Sequence, residues 1–260
     1  MLPKMTLMFR CATAVVASVA LTLCALGSAV ADPASSSTDR QVVVPGHIEG
    51  TNWNRLGTWS VDYQRLAGGS RYVTDAINEI IDAEAGGIVA AIDHSATDRK
   101  PWTFTATGAL SFQSIGIAEL FTGVYDTELP NMPFRTVATR VFDSRTGAQI
   151  VWDNLFTDKE AGLSRLSEQT RAIIPTLYEP PRPGGWRFGP EATPNELNFK
   201  AWIPTAAGIE LHFGDFQFGR LLPVITVPWS KVADLIAPEF IPLITADPPT
   251  QREESNRNHR

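Results

Sequence analysis

Four histidines, His47, His94, His212 and His259, are the side chains best suited to proton transfer near neutral pH, and their spacing restricts what they could do. No two stand four residues apart as in a helical zinc site, and no His-x-His falls on a strand, so no metal centre and no cofactor is expected. A serine hydrolase needs a nucleophile, a base and an oxyanion hole. Gly68-Gly69-Ser70-Arg71-Tyr72 approaches the Gly-x-Ser-x-Gly signature but lacks its second glycine, and Ser70, between a strand and a helix, is better explained as a helix N-cap. Ser114 with His94 or His212 is a further arrangement. No catalytic set is assigned from these residues, and a weak cell-envelope serine esterase stands as the alternative to a non-enzymatic role. Asp75, Glu79 and Asp82 could meet a cation, but they lie opposite an apolar stripe, where a helix keeps its solvated charges.

Aromatic side chains offer a different chemistry, that of flat surfaces for sugar rings or peptide side chains. Seven tryptophans are present, most of them within strand-like patterns that point to core positions. Trp186 differs. It stands in a proline- and glycine-rich stretch, residues 179–198, between Arg182 and Arg187 and beside Phe188. That stretch is longer than an ordinary connection and is expected to be a functional surface loop or poorly ordered. The candidate binding residues are therefore Arg182, Trp186, Arg187 and Phe188, on a loop expected to be removable without unfolding the protein. Trp53 is a second candidate for exposure.

The elements that would position these residues follow from apolar periodicity. Residues 58–64 alternate, with Trp59, Val61 and Tyr63 on one face of a half-buried strand. Val73, Ile77, Ile80, Ile81 and Glu84 repeat at helical spacing over 71–85, and Gly86-Gly87 is read as the helix C-cap. Residues 102–107 and 110–112 give two strand-like pieces. Residues 136–142 and 148–152 flank a turn ending in Gly147, the pattern of a hairpin. Thr157 with Glu160 fits a capping box opening a helix with Leu163, Leu166 and Ile173 on its buried stripe, stopped by Pro175. Strands are then predicted at 199–203, around Ile209, Leu211 and Phe213, and at 222–227, with a short helix from Pro228. This order predicts one α+β domain.

The first 31 residues read as an export signal: Lys4 and Arg10, an apolar run, and Ala29-Val30-Ala31 for cleavage. The run is at the short limit for a bilayer span and no basic stop-transfer cluster follows, so no membrane span is expected after cleavage. Residues 32–40 read as a flexible spacer, 41–245 as the folded domain and 246–260 as a disordered tail. Cleavage after Ala31 would leave 229 residues with 20 basic and 28 acidic side chains, a net charge of −8, and would remove both cysteines, Cys11 and Cys24. Disulfides and cysteine chemistry are then excluded from the mature chain. Net acidity argues against nucleic acid and anionic lipid surfaces and favours a basic partner.

Phe199-Lys200-Ala201-Trp202-Ile203, Ala207-Gly208-Ile209-Glu210-Leu211-His212-Phe213, and Thr226-Val227-Pro228-Trp229 with Leu235 resemble a domain of many secreted bacterial proteins. It occurs in the lysozyme-sensing ectodomain of RsiV-type anti-sigma factors and in secreted immunogenic proteins of mycobacteria. Ser60-Val61-Asp62-Tyr63, Ile77-Asn78, Phe142-Asp143-Ser144-Arg145-Thr146-Gly147 and Asn154-Leu155-Phe156 extend the resemblance over residues 42–245. Leu221-Leu222-Pro223 departs from it, standing where that group often has a glycine before its final strand. The resemblance implies a grasp-like, largely antiparallel sheet packed against two or three helices. It implies no mechanism, because fold does not fix function, and neither a sigma-binding segment nor a membrane anchor is expected here. The expected role is an exported, non-enzymatic protein that binds an unidentified protein or cell-envelope ligand, with a secreted or cell-wall address.

Overall fold

The computed structural model describes residues 41–245 apart from Leu221. The export signal, the spacer, the tail and the cysteines lie outside the described residues. Five strands, β1 (Val42–Thr51), β2 (Gly57–Ala67), β3 (Trp102–Gln113), β4 (Gly116–Thr127) and β5 (Phe134–Asp143), form one sheet in that spatial order. Helix α1 (Arg71–Ser95) connects β2 to β3, so that pair is parallel and the other three are antiparallel. After α2 (Trp152–Leu155) and α3 (Lys159–Leu177), strands β6 (Trp202–Pro204), β7 (Gly208–His212) and β8 (Val224–Pro228) make a second, antiparallel sheet, and α4 (Pro242–Thr245) follows. The architecture is the expected α+β fold. Among the described residues no helix is long and apolar enough to cross a membrane.

Alternation along β4 and β5 divides two cores. Successive strand residues point to opposite faces. Ile117, Phe121 and Phe142 meet Val73, Ile77, Ile81 and Ala85 of α1 on one face. Ala118 and Val141, cross-strand partners on the other face, join Leu163, Leu166 and Ile174 of α3 and Ile209, Leu211 and Val227 of the second sheet. The β4–β5 end of the large sheet is thus covered on both faces.

Where β2 and β3 diverge, side chains continue the ladder. Their pairing ends at Asp62 and Thr107. Beyond it Gln64 Oε1 accepts from the Leu110 amide at 2.7 Å. Asn78 of α1 reads both backbone groups of Leu66: its Oδ1 accepts from the amide and its Nδ2 donates to the carbonyl, each at 2.9 Å. Buried backbone groups must find partners, and here a helix side chain supplies them.

Several boundaries differ from the sequence reading. Gly86-Gly87 does not cap α1, which continues to Ser95. Both glycines are exposed and cost about 0.5–1 kcal/mol each relative to alanine, but Val89 extends the buried stripe and tertiary packing outweighs that cost. Ser70 occupies the N-cap position without a side-chain capping bond. Helix α3 is capped by Asp158, whose carboxylate accepts from the Ala161 amide, while the Thr157 hydroxyl donates to the Leu235 carbonyl, so the proposed capping box does not form. Pro175 lies in the last turn rather than ending the helix. Residues 102–113 are one strand, and 148–152 contribute only a bridge at Gln149 before Trp152 enters α2. At residues 228–231 the predicted short helix is a 3₁₀ turn, Trp229–Lys231, with Pro228 at its N-cap.

Strands β1 and β4 escaped the sequence reading altogether. In β1, Pro45, Gly46 and Gly50 read as loop residues. Edge strands tolerate proline, and both glycines are required by close approach: an added Cβ would lie 2.7 Å from the Tyr63 ring at position 46 and 2.5 Å from the Trp59 ring at position 50. In β4 the inward series Ile117, Glu119, Phe121 is interrupted by a carboxylate that is nonetheless 0% exposed.

Candidate functional site

Residues 179–198 are neither free nor disordered. Two 3₁₀ turns, Pro190–Ala192 and Glu196–Phe199, punctuate them, and Ala192 is fully buried. The Ala192 carbonyl accepts from Ser167 Oγ at 2.5 Å and from Arg171 Nη2 at 3.3 Å, which fastens the loop to α3. The expectation that the loop could be deleted without unfolding is therefore corrected: deletion would strip Ala192 and Phe188 from the second core.

Within this segment an aromatic ladder leads outward. Phe213 meets Phe218 edge-on at 4.7 Å, Phe218 meets Phe188 edge-on at 6.0 Å, and Phe188 stacks on Trp186 at 5.6 Å with 10° between planes. Such offset and edge contacts suit the ring quadrupoles. The Arg171 guanidinium covers Phe188 at 5.4 Å. Trp186 Nε1 donates to the Tyr178 carbonyl at 3.0 Å, and Tyr178 closes the base by exchanging hydrogen bonds with both backbone groups of Val224.

The outer end of the ladder opens into a cleft of about 650 Å³ between residues 181–187 and residues 216–220. Arg182, Trp186 and Arg187 line one wall, and Phe216, Phe218 and Arg220 the other. Of the residues chosen from sequence, three border the cleft directly. Phe188 supports Trp186 from beneath, half-buried.

The second wall was not legible as a site, although two glycines bracketing Phe216 and Phe218 and followed by Arg220 were its signal. Phe216 is 52% exposed, adopts φ +71°, donates its amide to the Gly219 carbonyl at 2.7 Å and stacks on Phe134 at 6.1 Å. Arg220 lies over the Phe216 ring at 5.2 Å and its Nη2 donates to the carbonyls of Asn131 and Pro133. Gln217 ties the walls together through its Nε2, which donates to the carbonyls of Glu191 and Asn198. A non-glycine residue held left-handed costs roughly 1–3 kcal/mol and persists only where the surroundings impose it.

The cleft is electropositive within an acidic protein. Among the described residues three arginines and one acid, Glu191, line it, whereas the chain carries a net charge of −6. Glu191 is turned back on its own loop, accepting from the Gly189 amide at 2.7 Å. Among the described residues neither Arg182 nor Arg187 has an ion-pair partner. Net acidity suggests a basic partner for the protein as a whole; inside the cleft the local charge is positive, and more remote charges are screened beyond about 8 Å at physiological salt.

The other candidates lie elsewhere. Trp53, 88% exposed, crowns the β1–β2 turn, which is fastened by the Asn52 and Asn54 side chains. Ser70 and His94 stand at opposite ends of α1, separated by roughly 36 Å at 1.5 Å per residue, and cannot form a dyad. His47 is held by Asp62 at 2.8 Å and Glu49 at 3.5 Å on the β1–β2 pair of the large sheet, and the Asp62 carboxylate raises its pKa. His212 bonds Glu210 at 2.8 Å, and burial lowers its pKa despite that carboxylate. Asp82 is not merely solvated: it accepts from the Tyr63 hydroxyl at 2.9 Å and pairs with Arg65 at 3.0 Å. Among the described residues no cluster of three or more histidines, cysteines or carboxylates could hold a metal.

Two sheets, one crossed by a long helix and the other carrying an arginine- and aromatic-lined cleft, define the structural class. No protein-family model and no curated protein sequence matches the chain. Solved structures do. A DUF3298 family protein from Pseudomonas aeruginosa PAO1 superposes with a TM-score of 0.50 at 7% identity, over 80% of this chain and 98% of that one. A member of the DUF3298 family from Bacteroides fragilis NCTC 9343 gives a TM-score of 0.52 at 8% identity, over 79% of this chain and 97% of that one. At these identities the likeness is one of fold.

Proposed function

We propose that the chain is an exported, non-enzymatic protein that binds a cell-envelope or extracellular partner through the cleft between residues 181–187 and 216–220. The observation that carries this reading is the convergence of Arg182, Trp186 and Arg187 with Phe216 and Arg220, two segments far apart in sequence, around one preorganised opening. Aromatic and arginine side chains are the groups that most often dominate binding energy at protein surfaces. Support for export comes from the apolar, basic-headed first 31 residues. The resemblance to RsiV-type ectodomains and secreted mycobacterial immunogenic proteins is the second support for an extracytoplasmic role.

The test uses the purified protein as immobilised bait on cell-envelope extract and culture medium. Arg182→Glu/Arg187→Glu is compared with wild type and with Asp93→Ala, which changes an exposed residue of α1. Both arginines are exposed, so the double variant is expected to keep the wild-type circular dichroism and to lose the partner that wild type and Asp93→Ala retain. Equal capture by all three would remove the cleft from the recognition surface.

A further inference from the structure

The chemistry of the cleft is more specific than a binding surface in general. We propose that it receives a short acidic peptide segment, with carboxylates on the Arg182 and Arg187 guanidinium groups and a neighbouring apolar or aromatic side chain against Trp186 and Phe216. This rests on the cleft being the recognition site.

Three observations converge on that ligand. Guanidinium groups present planar forks of donors that match carboxylates two bonds at a time, and among the described residues those of Arg182 and Arg187 have no carboxylate partner. Arg220 adds a third positive charge in a fixed place, since its Nη2 is committed to the Asn131 and Pro133 carbonyls. The apolar half of the site is equally fixed: Trp186 is backed by Phe188, and Phe216 by Phe134. Rings held this way lose little conformational freedom when a side chain packs on them.

Size and field then choose among anions. A cleft of about 650 Å³ falls in the range of pockets that enclose a few side chains rather than a single ion. A long polyanion would have to run beyond the three arginines across a protein of net charge −6. A compact segment with a few carboxylates meets only the positive part of the surface.

Fluorescence anisotropy of a labelled Glu-Glu-Phe-Glu-Glu peptide titrated with the full chain tests the proposal, beside a Lys-Lys-Phe-Lys-Lys peptide and heparin as a long polyanion. The acidic peptide should bind, weaken as salt rises, and lose about tenfold or more in affinity in both Arg182→Glu/Arg187→Glu and Trp186→Ala/Phe216→Ala. Replacement of phenylalanine by glycine in the peptide should weaken binding to wild type but not to the aromatic double variant. Heparin binding without peptide binding, preference for the basic peptide, or absence of peptide binding in a protein whose bait capture still depends on the arginines would each overturn the acidic-peptide assignment while leaving the cleft as the recognition site. Peptide binding indifferent to both double variants would overturn it as well.

Discussion

Asn78→Ala is expected to lower the stability of the protein by about 2–4 kcal/mol, because one truncation orphans two buried backbone groups at roughly 1–3 kcal/mol each. The Leu66 amide and carbonyl both end on the Asn78 carboxamide, at a residue only 3% exposed. Urea denaturation measures the effect as a lower midpoint with an unchanged slope. A shift worth less than about 0.5 kcal/mol would mean that water replaces the amide, and that the β2–α1 joint is looser than its hydrogen bonds imply. Position 78 lies on the buried face of α1, where periodicity alone would favour a hydrocarbon, so the polar residue there reports the end of β2, where pairing with β3 has stopped and the backbone needs a partner.

The second large effect concerns Glu119. Its side chain projects from β4 into the core beneath α1, and among the described residues neither carboxylate oxygen makes a hydrogen bond of good geometry. Its cross-strand neighbour Arg140 is drawn away by the ion pair with Glu84 of α1. Burial pushes the carboxyl up to about 8, outweighing the opposing effect of the nearby Gln64 backbone. The folded protein therefore holds a proton that the unfolded chain releases near the ordinary value of 4.5.

The direction follows from linkage. The contribution is fully present below about pH 4.5, declines by at most about 1.4 kcal/mol per pH unit as pH rises toward 8, and flattens above that. Glu119→Gln keeps the shape and removes the titration. The variant should match wild type near pH 4 and exceed it by about 2–4 kcal/mol at pH 9. Thermal or urea melts across that range check the result. Parallel pH profiles for the two proteins would show that Glu119 ionises without penalty, through water or a rearranged Arg140.

Both positions illustrate what sequence could and could not convey. The alternation of Trp59, Val61 and Tyr63 and the stripe of α1 were readable because burial of one face leaves a period. Strand β4 was hidden because a glutamate interrupts its inward series between Ile117 and Phe121. Strand β1 was hidden because its glycines answer to the Tyr63 and Trp59 rings of a neighbouring strand, a requirement no local pattern expresses. Gly86-Gly87 misled in the opposite sense, since a helix clamped by its neighbours carries glycines that would end an isolated one. Half of the candidate site was legible: an aromatic residue between two arginines in a proline-rich loop stands out by composition. The other wall was not, because Phe216, Gln217 and Arg220 acquire their role only when Gln217 ties the two segments together across the cleft.

The measurement that bears most directly on the cleft as a recognition site is amide hydrogen exchange of the protein alone and in complex with the partner it captures. Binding through the cleft predicts slower exchange concentrated in residues 181–187 and 216–220, with the exposed edge strand β1 and the Trp53 turn unchanged. Protection confined to β1 or the Trp53 turn, with the two cleft segments exchanging as in the free protein, would contradict it.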